Sequence, residues 1–223
     1  AADGPHSNAG GRARGVLREW GHVRRLLRPV QVPRVTGQIA PLTHREVEEY
    51  VRAHVELTIL TYAHLVGPEF AAARRAELSE WADDVHRELD ACAAAVASGV
   101  EPHRRHLVAR NARGGIVGVG SAGEGVEGWE TRHLGERWVP PATTFVLSHL
   151  YTVPGVHGTG LGQALLEALL PGGRSAYLWV FAENHRALRF YERNGFRADG
   201  LACDSGEGWG ARPLLRLARP DAG

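Results

Sequence analysis

Residues 150–170, LYTVPGVHGTGLGQALLEALL, decide the reading of this chain. An apolar run ends at Pro154, glycines follow at Gly158, Gly160 and Gly162, and an amphipathic helix starts almost on the last of them. The first N–H groups of a helix lack intrahelical partners and the macrodipole is positive there, so an anion is favoured. Glycines, having no Cβ, let a diphosphate approach the backbone closely. The physical reading is a phosphate cradle built from the amides of Gly158, Thr159, Gly160, Leu161, Gly162 and Gln163. Two other readings compete. The glycines can serve only a tight strand-to-helix turn, or they can belong to a dinucleotide site, because strand, glycines, helix, strand and the acidic Glu183 follow in that order. The dinucleotide fingerprint needs a third glycine where Gln163 stands, and no second alternating strand and helix series lies upstream.

Outward from this stretch, TTFVLSHLYTV (143–153) precedes it as a buried-looking strand. SAYLWVFA (175–182) follows as another, then a helix over HRALRFYERNG (185–195) that stops at Asn194 and Gly195. FRADG (196–200) and RPLLRLARP (212–220) read as closing strands. Upstream, HRRHLVARNARGGIVGVGSAG (103–123) reads as two strands joined by a turn at Gly114 and Gly115. Residues 124–142 read as a loop. Thr43 and Glu46 form a capping box that opens a helix running to about Val66, with Val47, Tyr50, Val51 and His54 on one apolar face. Gly67 and Pro68 stop it. A single second helix is expected to about Gly99, its stripe of Trp81, Val85, Leu89, Cys92 and Val96 facing the core.

A chain of 223 residues is long enough to bury a substantial core. Residues 1–34 read as a Gly/Ala/Arg-rich tail and a basic amphipathic arm, in which Val16, Trp20, Val23 and Leu27 recur at helical spacing. Residues 35–220 read as one domain. The 26 basic residues, all arginine, nearly balance 25 acidic ones, so no bulk attraction to nucleic acid or membrane is implied. Cys92 and Cys203 match neither a disulfide framework nor a zinc spacing, so no metal is expected. No apolar run of about 18 residues and no signal-peptide pattern is present, and a cytoplasmic protein is expected.

Strand LSHLYTVP, turn GVHGTGLG, helix QALLEALL, strand AYLWVFAEN and helix HRALRFYERNGF together resemble the two central motifs of the Gcn5-related N-acetyltransferase (GNAT) superfamily. The likeness is close over residues 145–200 and looser over 35–220. It implies an α/β (α+β) fold: a mixed central sheet, mostly antiparallel, splayed between its fourth and fifth strands and flanked by helices. It implies acetyl-CoA as cosubstrate and transfer of the acetyl group to a primary amine of a small molecule or peptide. A non-catalytic acyl-CoA-binding module on the same fold is the alternative, and a homodimer is compatible with either.

By that resemblance Gly160 and Gly162 occupy the small positions of the family's Q/R-x-x-G-x-G/A turn, where His157 replaces the usual Gln or Arg and can still donate one hydrogen bond. The backbone of Leu150, Tyr151 and Thr152 pairs with the pantetheine arm, and Asn184 contacts that arm. Tyr191, seven residues on, protonates the departing thiolate, which suits a phenol titrating near ~10 facing a thiol near ~8.5. The general base is less defined. Val146 and Trp179 stand where many relatives place a Glu. His149, Glu183 through a water chain, and an acid from the 124–136 loop remain candidates. Strand alternation puts His149 on the face opposite Ser148 and Leu150, as either a base or a satisfied core histidine. The acceptor pocket is expected between TYAHLVGPEF (61–70) and GEGVEGWETRHLGERW (123–138), with Glu124, Glu127, Glu130, Glu136, Trp129 and Trp138 suited to a cationic amine.

Overall fold

The computed structural model describes residues 38–220, and the basic arm read at residues 1–34 lies outside them. The strands are β1 Gln38–Pro41, β2 Arg104–Arg110, β3 Ile116–Glu124, β4 Phe145–Thr152, β5 Ala176–Phe181, β6 Arg197–Asp204 and β7 Pro213–Arg219. They form one sheet in the order β1-β2-β3-β4-β5-β7-β6. Every neighbouring pair is antiparallel except the parallel β4–β5 pair. The mixed, mostly antiparallel sheet that the resemblance implies is the one observed.

Sequence alternation builds the two faces of this sheet. Along β2, Leu107 and Ala109 enter one core, while Val108 enters another on the opposite side. The Val108 side is covered by helix α1 (Val47–Val66), through Val47, Tyr50 and Val51, and by Val85. The other side is covered by Leu165, Leu166 and Leu169 of the helix that begins at Leu161. Its close seating explains the glycines of β3. A Cβ on Gly118 would lie 2.8 Å from Leu165, and one on Gly120 would lie 2.7 Å from Leu169.

Three local expectations change. The helix expected over 68–99 is two helices, α2 (Glu69–Ala76) and α3 (Leu78–Ala97), broken at Glu77. Of its stripe, Val85 is buried and Trp81 and Leu89 are half-buried against the core, but Val96, near the C-terminal end of α3, is 59% exposed. The segment read as a loop over 124–142 contains helix α4 (Gly128–Leu134). Glu130 starts that helix, accepting from the Glu127 N–H at 3.3 Å, and Tyr177 donates to the Glu130 carboxylate at 2.7 Å. The apolar pattern is too short to reveal a helix held by a buried acid. Helices α5 (Leu161–Leu169) and α6 (His185–Arg193) complete the fold. Among the described residues no helix is long and apolar enough to cross a membrane.

Leu165 is fully buried under the sheet. Leu165→Ala should therefore cost about 2–5 kcal/mol of unfolding free energy in urea titrations, whereas Val96→Ala should change it by less than about 0.5 kcal/mol.

Candidate active site

The site begins where two parallel strands part. β4 and β5 share one register pair, Val146 with Tyr177, and no further β4–β5 pairing occurs among the described residues. Just past that pair β4 carries a bulge. Leu150 faces Gly120 and His149 faces Ser121, but the next partner, Ala122, faces Leu147, leaving Ser148 as the extra residue. The edge of β4 from 147 to 152 then borders a cleft of about 640 Å³, with Trp179 and Val180 of β5 on its other side. Leu150, Tyr151 and Thr152 all line it.

The cleft ends at the glycine turn. Gly158 and Gly160 have φ of 80° and 92°, conformations that L side chains rarely adopt, and nothing lies within 4 Å of where their Cβ atoms would be. Ala164 is the first N–H to bond back, to the Gly160 carbonyl at 3.0 Å. The amides of Leu161, Gly162 and Gln163 therefore open α5 without intrahelical acceptors. The Thr159 amide is different: it bonds to the Val156 carbonyl at 3.3 Å, and its hydroxyl donates to the same oxygen at 2.6 Å. That internal turn removes Thr159 from the set of free donors.

His157 is also committed. Its Nε2–H donates to the Thr152 carbonyl at 3.2 Å, leaving Nδ1 to accept from the guanidinium of Arg186. Burial, then the Arg186 charge, holds the imidazole below its ordinary range, in keeping with this neutral tautomer. The side-chain donor expected from His157 is thus spent on the protein. Arg186, which lines the same cleft, supplies the cation beside the glycine turn. Sequence reading missed Arg186, although it stands two residues after Asn184.

Asn184 caps α6, its Oδ1 accepting from Ala187 N–H at 3.1 Å while Nδ2 donates to the Tyr62 hydroxyl at 3.3 Å. Tyr191 lines the cleft and is 8% exposed. Burial, then the Tyr62 phenol, raises its titration well above the ordinary range, so it stays protonated at neutral pH.

A second cavity, about 540 Å³, lies against α1 and α3. Ser148 and His149 line both cavities. Strand alternation would separate these two side chains; the bulge at Ser148 instead brings both to one polar network, which corrects the expectation for Ser148, while Leu150 packs on the opposite side from His149. Tyr50 donates to the Gly120 carbonyl at 3.1 Å, so its oxygen accepts from His149 Nε2–H at 2.7 Å. His106 Nδ1 lies 3.4 Å from the same hydroxyl, and His106 Nε2–H donates to Glu88 at 2.6 Å. Arg104 donates to Ser148 Oγ at 2.5 Å and lies 3.6 Å from Glu88 and 3.7 Å from Glu127. Ser148 donates to Glu127 at 2.5 Å.

Burial, then the charges of His54, His106 and Arg104, holds His149 well below the usual imidazole range. Burial opposes ionisation of Glu88 too, but its hydrogen bond and attraction to His106 keep it below its ordinary value.

Of the acids expected around the acceptor, only Glu127 reaches this cavity, with Trp129 beside it. Glu124 pairs with Arg174 at 2.5 Å, and Glu130 is sealed under Tyr177. Glu183, a candidate base, is bound to Arg212 at 2.6 Å. Neither Glu136, Trp138 nor any residue of 61–70 lines the cavity. Its remaining acids, Glu77, Glu80, Asp84 and Glu88, come from α3 and its start. Their spacing of three to four residues is a helical stripe that was readable beside the apolar one.

A model of the acetyltransferase (GNAT) domain matches residues 102–198, the stretch that holds β2 to β5, the glycine turn and α6. Over those residues the chain is similar to the GNAT family. An uncharacterized N-acetyltransferase of Mycobacterium tuberculosis is 42% identical over 59 residues, which cover 24% of this chain and 38% of that protein. The match thus spans well under half the length of that relative. Among solved structures, the PaiA N-acetyltransferase of Thermoplasma acidophilum in complex with coenzyme A is 19% identical, with a TM-score of 0.53 over 81% of this chain and 98% of that one. A Corynebacterium glutamicum structure described as histone acetyltransferase HPA2 and related acetyltransferase is 20% identical, with a TM-score of 0.53 over 84% and 97%. At these identities the likeness is one of fold. The matched residues include the whole glycine turn, but α1 and α3 precede them.

Burial, then the His106 charge, lowers His54 from 6.5 to about 3. The unfolded chain therefore binds a proton that the folded chain refuses between those two values. Folding stability should fall as pH drops below about 6.5 and keep falling toward 3, with His54 contributing up to about 1.4 kcal/mol per pH unit. Urea titrations between pH 7 and pH 4 should show a shallower loss in His54→Asn than in the wild type.

Proposed function

We propose that residues 35–220 form one domain that transfers an acetyl group from acetyl-CoA to a primary amine. The observation that carries this reading is that two cavities, one ending at an open helix N-terminus, meet at Ser148 and His149 on β4. In this reading the diphosphate of acetyl-CoA sits on the amides of Gly158, Gly160, Leu161, Gly162 and Gln163, with Arg186 supplying positive charge. The pantetheine arm lies along the free edge of β4 at Leu150, Tyr151 and Thr152, beside Asn184, and the thioester reaches the parting of β4 and β5. The amine enters from the second cavity.

The amine nitrogen attacks the thioester carbonyl, an N–C bond forms, and a β4 amide stabilises the oxyanion. As the C–S bond breaks, sulfur takes the proton of Tyr191. The proton lost by the amine goes to Nδ1 of His149, whose Nε2–H is held by Tyr50. A buried imidazole is a weak resting place for that proton. When the Tyr50 hydroxyl turns from the Gly120 carbonyl to His106 Nδ1, the series His149, Tyr50, His106 and Glu88 offers it a route to an ionised carboxylate.

Calorimetric titration with acetyl-CoA and with NADPH tests the donor. Acetyl-CoA should bind and NADPH should not. Gly162→Asp should weaken acetyl-CoA at least about tenfold, because a carboxylate at the start of α5 favours the helix but repels a diphosphate. Binding of acetyl-CoA without thiol release to any amine would instead indicate a non-catalytic module.

Tyr191→Phe and His149→Ala should each lower kcat about a hundredfold with acetyl-CoA affinity retained. A His149→Ala enzyme within about threefold of wild type would remove His149 as the base.

A further inference from the structure

The second cavity has a composition that a simple monoamine does not need. Five carboxylates line it, from Glu77, Glu80, Asp84, Glu88 and Glu127, against the guanidiniums of Arg74 and Arg104. Both arginines are already occupied: Arg74 pairs with Glu77 at 2.7 Å, and Arg104 lies between Glu88 and Glu127. Glu80 is exposed and has no ion-pair partner among the described residues. The acids are drawn out in a row. From Glu77 to Glu88 the helical rise of ~1.5 Å per residue gives a span of about 16 Å. The inner end of the row is Glu88, joined through His106 and Tyr50 to His149 at the mouth of the other cleft.

Two further features are independent of the acids. The Ser121 hydroxyl is on a residue only 1% exposed, lines this cavity, and has no hydrogen-bond partner. His54 Nδ1 lines it too and is likewise buried and unpartnered. Both can accept from an ammonium group, since His54 stays neutral down to about pH 3. Buried polar atoms left without partners in a cavity call for a ligand or water to satisfy them. Trp81, Trp129 and Val55 also line the cavity, apolar surface suited to methylene groups, and the two indole faces suit a cation.

We propose that the acceptor is a linear di- or polyamine: one amino group reacts at His149 while a second ammonium, several methylenes away, is held by the acidic row of α3. This rests on the acetyltransferase reading above, and it adds that the substrate carries at least two positive charges separated by an apolar linker.

The test compares hexamethylenediamine with hexylamine, which share a linker but differ in the second charge. Two readouts are taken: calorimetric binding to the protein without acetyl-CoA, and kcat/KM for thiol release with acetyl-CoA. The diamine should be preferred about tenfold or more in both. Glu80→Gln and Glu77→Gln should each reduce that preference about two- to fivefold, and raised ionic strength should reduce it as well. Equal binding and equal turnover of the two amines would overturn the proposal while leaving the acetyltransferase reading intact. Preferential diamine binding without thiol release would retain the dicationic site and overturn the transferase reading. A preference that survives both Gln substitutions unchanged would overturn the assignment to α3.

Discussion

The parting of β4 from β5 is the constraint on which the rest of the structure depends. Two parallel strands that share a single register pair leave one edge of β4 without a sheet partner, in the middle of a sheet rather than at its rim. Backbone groups in that position cannot be left unsatisfied without a cost of about 1–3 kcal/mol each. The fold meets part of the cost itself, since the Thr152 carbonyl accepts from His157. What remains faces an open cleft, the natural place for a ligand whose own amides can pair with the strand. The bulge at Ser148 sits just past the last shared pair, so the strand that loses its partner also turns two consecutive side chains into one polar network.

The two cavities on either side of β4 have opposite electrostatic character. The glycine turn offers amide dipoles and Arg186 to an anion, whereas α3 and Glu127 offer carboxylates to a cation. A donor carrying phosphates and an acceptor carrying ammonium groups would be drawn to different mouths and meet at Ser148 and His149. The elements that hold this arrangement are buried and apolar only in part. Tyr177 reaches across from β5 to hold Glu130 and thereby α4, while Asn184 ties the start of α6 to Tyr62 on α1. Polar tethers of this kind fix position as well as stability, because a buried hydrogen bond fails when either end moves.

The glycine turn was legible because its chemistry is local. Alternate glycines at the mouth of a helix have one geometric consequence whatever surrounds them, and Asn184 and Tyr191 follow at fixed distances along the chain. The mixed, mostly antiparallel sheet and its splay between the fourth and fifth strands came from resemblance, and the observed strand pairing bears them out. The acceptor side was less legible for a physical reason. Glu77, Glu80, Asp84 and Glu88 read as the solvated face of an amphipathic helix, and only packing against β2 and β3 turns that face over a cavity. Glu130 looked like an exposed loop acid, yet it is fully buried because a tyrosine from a distant strand supplies its hydrogen bond. His149 stays opposite Leu150, but Ser148 joins it in one polar network because a bulge shifts the alternation by one residue, and nothing in LSHL announces a bulge.

The sequence by itself determined the elements whose signals lie within a turn or two of the chain: the capping box at Thr43 and Glu46, the apolar face of α1, the alternating strands, and the bare backbone from Gly158 to Gly162. These are properties of neighbouring residues and need no partner to be read. Only the tertiary structure decided which side chains meet. The commitment of His157 to Thr152 and Arg186, the series from His149 through Tyr50 and His106 to Glu88, and the joining of two cavities at one strand all depend on contacts between residues up to 99 positions apart. Such contacts are fixed by how helices and sheet pack in three dimensions, a relation that no local pattern of residues encodes.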